Sequence, residues 1–332
     1  MSIAPLKPNS SYNPPLECPL CASHAIASLR SHATAPVIQC WRRQYGVEVA
    51  AYFENMDFFT EHGCRDCGIQ FFSPVTMAAK PPLYEILANA NPANGKYYRA
   101  HKWEYDMALK DIPSTNPNSA NGEHHLLEIG CGFGDFLSLA ESRFRLGTVP
   151  IIAEGLEQNP AAVLEAQRRG LAVCHDDIRE VAARRAEKYS TVCLFQVLEH
   201  VPDTGDFLRA ACVLLHKGGR LMLAVPNAAS FLRHAWNILD MPPHHMTRWQ
   251  PSVMTRLPRL FPMKLLRVRT EPLADYHVSD YAESYLSAWS EKPMLRVLGH
   301  PRVKSMAVAL IRGSGIRRFL RGHTVYACFE RI

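Results

Sequence analysis

From Leu126 onward the chain alternates short apolar runs with stretches whose apolar residues recur every three or four positions. Leu126, Leu127 and Ile129 read as a strand over 126–130, and Phe136, Leu137, Leu139 and Ala140 open a helical face over 134–145. The order repeats: strand 150–157 before helix 160–169, strand 171–175 before helix 178–187, and strand 190–196 before a helix near 204–215. A strand over 219–225 follows the turn Lys217-Gly218-Gly219, another lies near 263–271, and the alternating "HTVYACFERI" ends the chain. A helical insertion over 278–320 separates these last two strands. Strands joined by crossover helices predict an α/β fold, a doubly wound and mostly parallel sheet spanning 126–332. Ahead of it, residues 1–16 are proline-rich and expected to be disordered, and 17–75 form a small module of their own. Residues 76–125 hold a helical segment, 81–111, and the linker "PSTNPNSANGEHH".

Between the first strand and its helix stands "LEIGCGFGDFLSLA", with glycine at 130, 132 and 134. Bare backbone admits a ligand, and helix N–H groups point at it, so strand, glycine turn and helix predict a nucleotide-cofactor site. A dinucleotide fingerprint needs glycine at 135, where the residue is Asp135, and this opposes a dehydrogenase. In an open α/β sheet the ligand lies beyond the C-terminal strand ends. Glu157 ends the second strand and can accept both hydroxyls of a ribose. Asp177 and Ile178, after the third, can bond an adenine amino group and cover the ring.

Composition adds a metal. Ten cysteines are present; six are scattered singly and four form the pairs Cys18-Pro-Leu-Cys21 and Cys64-Arg-Asp-Cys67. Two such knuckles complete a tetrahedral zinc site with no open position, so the metal is expected to be structural. The 42 residues between the knuckles imply an insertion in the module. Four unrelated buried cysteines are the plainer alternative. A redox pair is disfavoured, because neither C-x-x-C sits at a strand-to-helix junction. Cys40 is a possible substitute ligand without a close partner. No apolar run approaches the roughly 18 residues that span a bilayer. The N-terminus also lacks the apolar core of a secretory signal, so a cytoplasmic location is expected.

Taken in order, "LEIGCGFGDFL", "GLEQNPAAVLEAQRRG", "CHDDI", "FQVLEHVPD", "LLHKGGRLMLAVPN" and "PPHHMTRW" resemble the class I S-adenosylmethionine-dependent methyltransferases. The branch most similar acts on small molecules and carries an N-terminal zinc-binding segment of the form C-P-x-C…C-x-x-C-G. The resemblance covers nearly everything from 17 to 332 and implies a seven-stranded sheet. It also implies that Gly130, Gly132 and Gly134, with Cys131 between them, face the methionine part of the cofactor, and that Glu128 orients the loop or its amino group. Glu157 and the adjacent Gln158 would serve the ribose, Asp177 and Ile178 the adenine, and Gln196 would offer an oxygen to the ammonium.

Methyl transfer from a sulfonium is an in-line displacement, so the protein positions the acceptor and removes its proton. Histidine suits that task, and the candidates are His245, then His244, then His200. Adjacent side chains in an extended segment face opposite ways, so one of His244 and His245 is expected to be functional and the other to pack. Trp249, Trp103, Tyr97 and Tyr98 are candidate pocket walls or core. Asp176 and Glu199 are read either as site residues or as solvated charges.

Charge bears on the acceptor. The net charge is +6, and 292–321 carries eight Lys or Arg with no acid between Glu291 and Glu330. The resemblance implies a small acceptor, a sugar, a nucleotide-linked sugar or a natural-product intermediate, and this basic segment suits one that is anionic. An RNA methyltransferase or binding protein is the alternative. Against it, "FQVLEHVP" stands where an amine-methylating enzyme that flips its base would carry a D/N-P-P-Y/W motif.

Overall fold

The computed structural model describes residues 16–89, 101–113, 123–144, 150–234 and 236–332. The first half of the described chain runs β1 (Ile26–Ala33), α1 (Thr34–Tyr45), β2 (Phe58–Cys64), β3 (Gln70–Ser73), α2 (Pro81–Asn89), α3 (Trp103–Asp111), β4 (His124–Ile129), α4 (Asp135–Phe144), β5 (Ile151–Leu156) and α5 (Pro160–Arg168). Then come β6 (Ala172–Cys174), α6 (Ile178–Arg184), β7 (Tyr189–Phe195), α7 (Thr204–Leu214), β8 (Leu215–Pro226), β9 (Thr247–Arg248), α8 (Pro251–Arg256), β10 (Met263–Pro272), α9 (Val278–Ser290), α10 (Pro301–Gly313) and β11 (Arg321–Arg331). Of the helix expected over 81–111, residues 90–100 lie outside the described residues, as do Tyr97, Tyr98 and most of the linker.

The large sheet has seven strands in the order β10-β11-β8-β7-β4-β5-β6. The strands from β8 to β6 pair in parallel, while β11 is antiparallel to both of its neighbours. Alternation along the strands sorts side chains to two covered faces. Leu127, Ile129, Val192 and Leu194 enter one core, while Leu126, Cys193 and Phe195 enter the other with Tyr105 and Phe136. Every residue of β7 is buried, as a central parallel strand between helical layers requires. The turn expected at Lys217-Gly218-Gly219 is absorbed into β8. Leu215 pairs with Tyr189 and Arg220 with Thr191, so 216–219 bulge out of the ladder.

The N-terminal module is not closed within 17–75. Its sheet, β1-β2-β3-β9, takes its fourth strand from Thr247–Arg248 of the larger domain. Its core of Val37, Trp41, Phe53, Phe59, Phe72 and Met77 also takes in Ile238, Met241 and Met246. The first knuckle docks on the start of α7, where Gly205 donates its N–H to Pro19 O at 2.7 Å. A Cβ at Gly205 would lie 2.7 Å from Leu20 O, so only glycine permits that approach. The segment 238–249 is thereby clamped between module and sheet. The helical insertion is present as α9 and α10, with a 3₁₀ helix of about two turns, Pro293–Gly299, between them.

Candidate active site

The glycine turn leaves β4 through three residues with left-handed backbone: Gly130 at φ 72°, Gly132 at 55° and Gly134 at 76°. Gly130 and Cys131 donate N–H to Leu156 O at 2.7 and 3.1 Å, which fastens the turn to the end of β5. Arg169 braces its far side, donating to Phe133 O at 2.6 Å and to Asp135 at 2.9 Å. Asp135, the residue that breaks the dinucleotide fingerprint, therefore pairs with that arginine at the start of α4.

Glu157 is buried, and both of its oxygens are used: Oε2 accepts from Gly132 N and Oε1 from Asn159 N, each at 2.8 Å. The carboxylate thus sets the shape of the glycine turn as well as marking the end of β5. Gln158 spans to the next strand end, donating to Asp176 O at 2.9 Å. Asp177 caps α6, accepting from Arg179 N at 2.7 Å, and Ile178 behind it is buried in the core. Cys131 is buried below the turn. Asp176 pairs with Arg184 at 2.9 Å on the surface, the solvated-charge alternative.

Glu128 is 1% exposed, and its Oε2 has no hydrogen-bond partner. Burial pushes its carboxyl well above the usual range; Lys102 works the other way. A buried carboxyl with an unmatched oxygen, beside a turn of bare backbone, fits the ammonium end of S-adenosylmethionine. Gln196, at the end of β7, has φ 59°, and its side-chain amide donates to Glu104 at 3.1 Å.

Beyond Gln196 the chain turns into the histidine region, and all three candidate histidines meet there. Ring centroids are 4.6 Å apart for His200 and His244, 4.8 Å for His200 and His245, and 4.5 Å for His244 and His245. The expectation that His244 and His245 face opposite ways assumed an extended segment. The segment instead turns, with His245 N donating to Met241 O at 3.1 Å, so the two rings stack on one side. Each Nδ1 is tied down: His200 to His244 O at 2.8 Å, His244 to Leu239 O at 2.8 Å, and His245 to Asp240 at 3.3 Å. Asp240 is itself held by Arg248 at 2.6 Å, and Arg248 reaches Glu61 of β2 at 2.9 Å. Tyr84 of α2 packs on the rings of His200 and His244. Burial lowers His200 to about 4 and His244 and His245 well below the ordinary histidine range, so all three are neutral near pH 7.

Buried acids that sequence reasoning left out or undecided lie beside His200 and further along this end of the sheet. Glu199 is fully enclosed, its Oε2 has no partner, and burial raises it to about 8. Glu271 of β10 is raised to about 7 by burial and then by the charge of Glu104. Neither Glu104 nor Glu271 carried a sequence signal, because their burial arises from distant elements folding over one end of the sheet. Trp249 is fully buried, donating to Thr247 at 3.0 Å, and Trp103 packs on Tyr326; both belong to the core.

Cys18, Cys21, Cys64 and Cys67 form the second cluster, with one sulfur from each within 4.8 Å of the others. The shortest separations are 3.5 Å for Cys18 and Cys67 and 3.6 Å for Cys21 and Cys64. Zinc–sulfur bonds of about 2.3 Å in a tetrahedron place sulfurs about 3.8 Å apart, so the four thiols fit that ion. Cys40 lies on α1 and is not part of the group.

A family model described as a methyltransferase domain matches residues 97–267, just over half of the chain. The chain belongs to that family. As a member it is an S-adenosylmethionine-dependent methyltransferase, and its seven-stranded sheet is the fold of that class. The methyltransferase is 30% identical over 162 residues to the ubiquinone biosynthesis O-methyltransferase of Citrobacter koseri, a match covering 45% of this chain and 66% of that protein. With a protein of the same name from Escherichia coli it shares 28% identity over 187 residues, 53% of this chain and 75% of the other. It is also similar to the geranyl diphosphate C-methyltransferase of Streptomyces coelicolor, at 13% identity and a TM-score of 0.42 over 69% of this chain and 78% of that one. No helix among the described residues is long and apolar enough to cross a membrane.

Proposed function

We propose that this methyltransferase moves the sulfonium methyl group of S-adenosylmethionine to a hydroxyl of a small molecule: a sugar, a nucleotide-linked sugar or a natural-product intermediate. The cofactor's methionine end lies on the glycine turn with its ammonium toward Glu128 and Gln196. Its ribose meets Glu157 and Gln158, and its adenine meets Asp177 and Ile178. The acceptor enters at the His200–His244–His245 cluster, and its proton is taken up there. One observation carries this reading: His200, four residues beyond Gln196 on the connection that leaves β7, converges with His244 and His245 from the segment after β8, and all three are neutral near pH 7. A relative named for O-methylation in ubiquinone biosynthesis supports a hydroxyl acceptor. The cysteine cluster holds one structural zinc, which fixes the module that backs the histidine segment.

An anionic acceptor would place its charged end at the insertion, whose Lys and Arg include Arg296, Arg302 and Arg318. Its reacting hydroxyl would lie in the acid- and histidine-lined end. Transfer of labelled methyl from S-adenosylmethionine into the low-mass fraction of a cell extract tests the reading. His245→Ala should reduce that transfer about 10²–10⁴-fold with cofactor affinity unchanged. Label appearing in RNA would move the assignment to the nucleic-acid alternative. Near-normal transfer by the variant would remove the histidine cluster from the chemistry.

A further inference from the structure

The histidine cluster has the form of a metal site. His200 and His244 point Nδ1 at backbone carbonyl oxygens, which only accept, so each Nδ1 carries the proton and each Nε2 the lone pair. His245 directs Nδ1 at the Asp240 carboxylate, which fixes the same tautomer. An imidazole held through one nitrogen by a carbonyl or carboxylate, with the other turned inward, is the arrangement that orients histidine ligands to metals. One nitrogen from each ring lies within 4.8 Å of the other two. Ligand nitrogens about 2.1 Å from a shared tetrahedral ion are about 3.4 Å apart, so small ring rotations close the set. Glu199 Oε1 lies 3.8 Å from His200 Nε2, and its other oxygen is buried without a partner. A cation held by these three nitrogens would lie beside the buried Glu199 carboxylate and balance its charge.

We infer that His200, His244 and His245, with Glu199 beside them, bind a divalent transition-metal ion. Three imidazoles and a carboxylate suit zinc, iron(II), cobalt(II) or nickel(II) rather than magnesium or calcium. The site is separate from the four-cysteine cluster. With three nitrogens as ligands, a four-, five- or six-coordinate ion keeps a position for an acceptor oxygen. His200 retains 16% side-chain exposure, which leaves a way in. The ion's part in the reaction, though not its binding, rests on the histidine wall being the acceptor end. Ligation and proton uptake by a bare imidazole use the same nitrogen atoms, so they are alternatives that binding data separate.

The test uses untagged, full-length protein, first loaded with one equivalent of zinc and then titrated with cobalt(II) alone. The expected result is one further equivalent bound, with weak visible bands of nitrogen and oxygen ligation and none of the intense near-ultraviolet absorption of cobalt–thiolate bonds. Glu199→Gln, which removes no hydrogen bond from that oxygen, should weaken cobalt binding at least about 10-fold while circular dichroism stays that of the parent. His245→Ala should abolish it. No second equivalent in the parent, or unchanged binding in both variants, overturns the inference. If cobalt does not bind yet His245→Ala still stops methyl transfer, the metal falls and the acceptor-end reading stands. If cobalt binds and His245→Ala transfers normally, the metal stands and that reading falls.

Discussion

Replacing Glu157 with glutamine changes one atom and no volume, yet it should disturb the cofactor site in a measurable way. The carboxylate accepts from Gly132 N and Asn159 N at 2.8 Å each. Glutamine can accept with only one oxygen, so its amide nitrogen must face one of these N–H donors. A buried hydrogen bond to a charged group contributes about 1.5–3 kcal/mol, and a donor facing a donor forfeits it. In the free protein the turn can relax around the misfit. With S-adenosylmethionine bound it cannot, because the ribose hydroxyls are assigned to the same carboxylate. The full loss should therefore appear in binding, about 10–150-fold in Kd. Calorimetric titration of parent and Glu157→Gln with S-adenosylmethionine measures it. Affinity within about threefold of the parent would mean that the carboxylate neither shapes the turn nor meets the cofactor, and the placement of the ribose would be wrong.

Gly132→Val should abolish cofactor binding, because a β-branched residue at φ 55° is strained and projects into the turn; calorimetry of the folded variant checks it. Gly130→Ala should cost about 2–4 kcal/mol of stability by denaturant unfolding, since φ is 72° and the new Cβ would lie 2.5 Å from Val197. Cys18→Ser should lower zinc content below one equivalent and loosen the module, as metal analysis and proteolysis would show; unchanged zinc would refute the four-cysteine site. His124 is buried against Thr191 at 2.9 Å and lowered to about 4. The unfolded chain takes up this proton below about pH 6.5 while the folded one resists, so stability is complete above 6.5 and falls as pH drops toward 4. His124→Gln should flatten that part of the stability curve by up to about 3 kcal/mol.

The alternation of apolar runs and helical faces disclosed the sheet, because parallel strands buried on both sides must be apolar nearly throughout, as β7 is. The glycine turn was legible for the same local reason: φ values of 55–76° at three positions call for glycine in sequence as in space. The cysteine pairs declared themselves by spacing, despite β1, α1 and most of β2 lying between them. Features made by distant segments were not legible. Thr247–Arg248 joins the module only because 238–249 shares its core, and no pattern in two residues announces a strand. Glu199 stands in an E-H dipeptide that a solvated pair would share, and the 238–249 segment that lies against it, with Met246 N and Thr247 N donating to its carbonyl oxygen, comes from far along the chain. The convergence of His244 and His245 depended on a turn that the prolines before them permit but do not specify.

A crystal structure with S-adenosylhomocysteine tests the account most directly. The ligand's ammonium should lie within hydrogen-bond reach of Glu128 and Gln196, with its ribose on Glu157 and its sulfur turned toward the His200–His244–His245 cluster. A ligand bound elsewhere, or one whose sulfur faces away from those histidines, would contradict the assignment of both the cofactor site and the acceptor end.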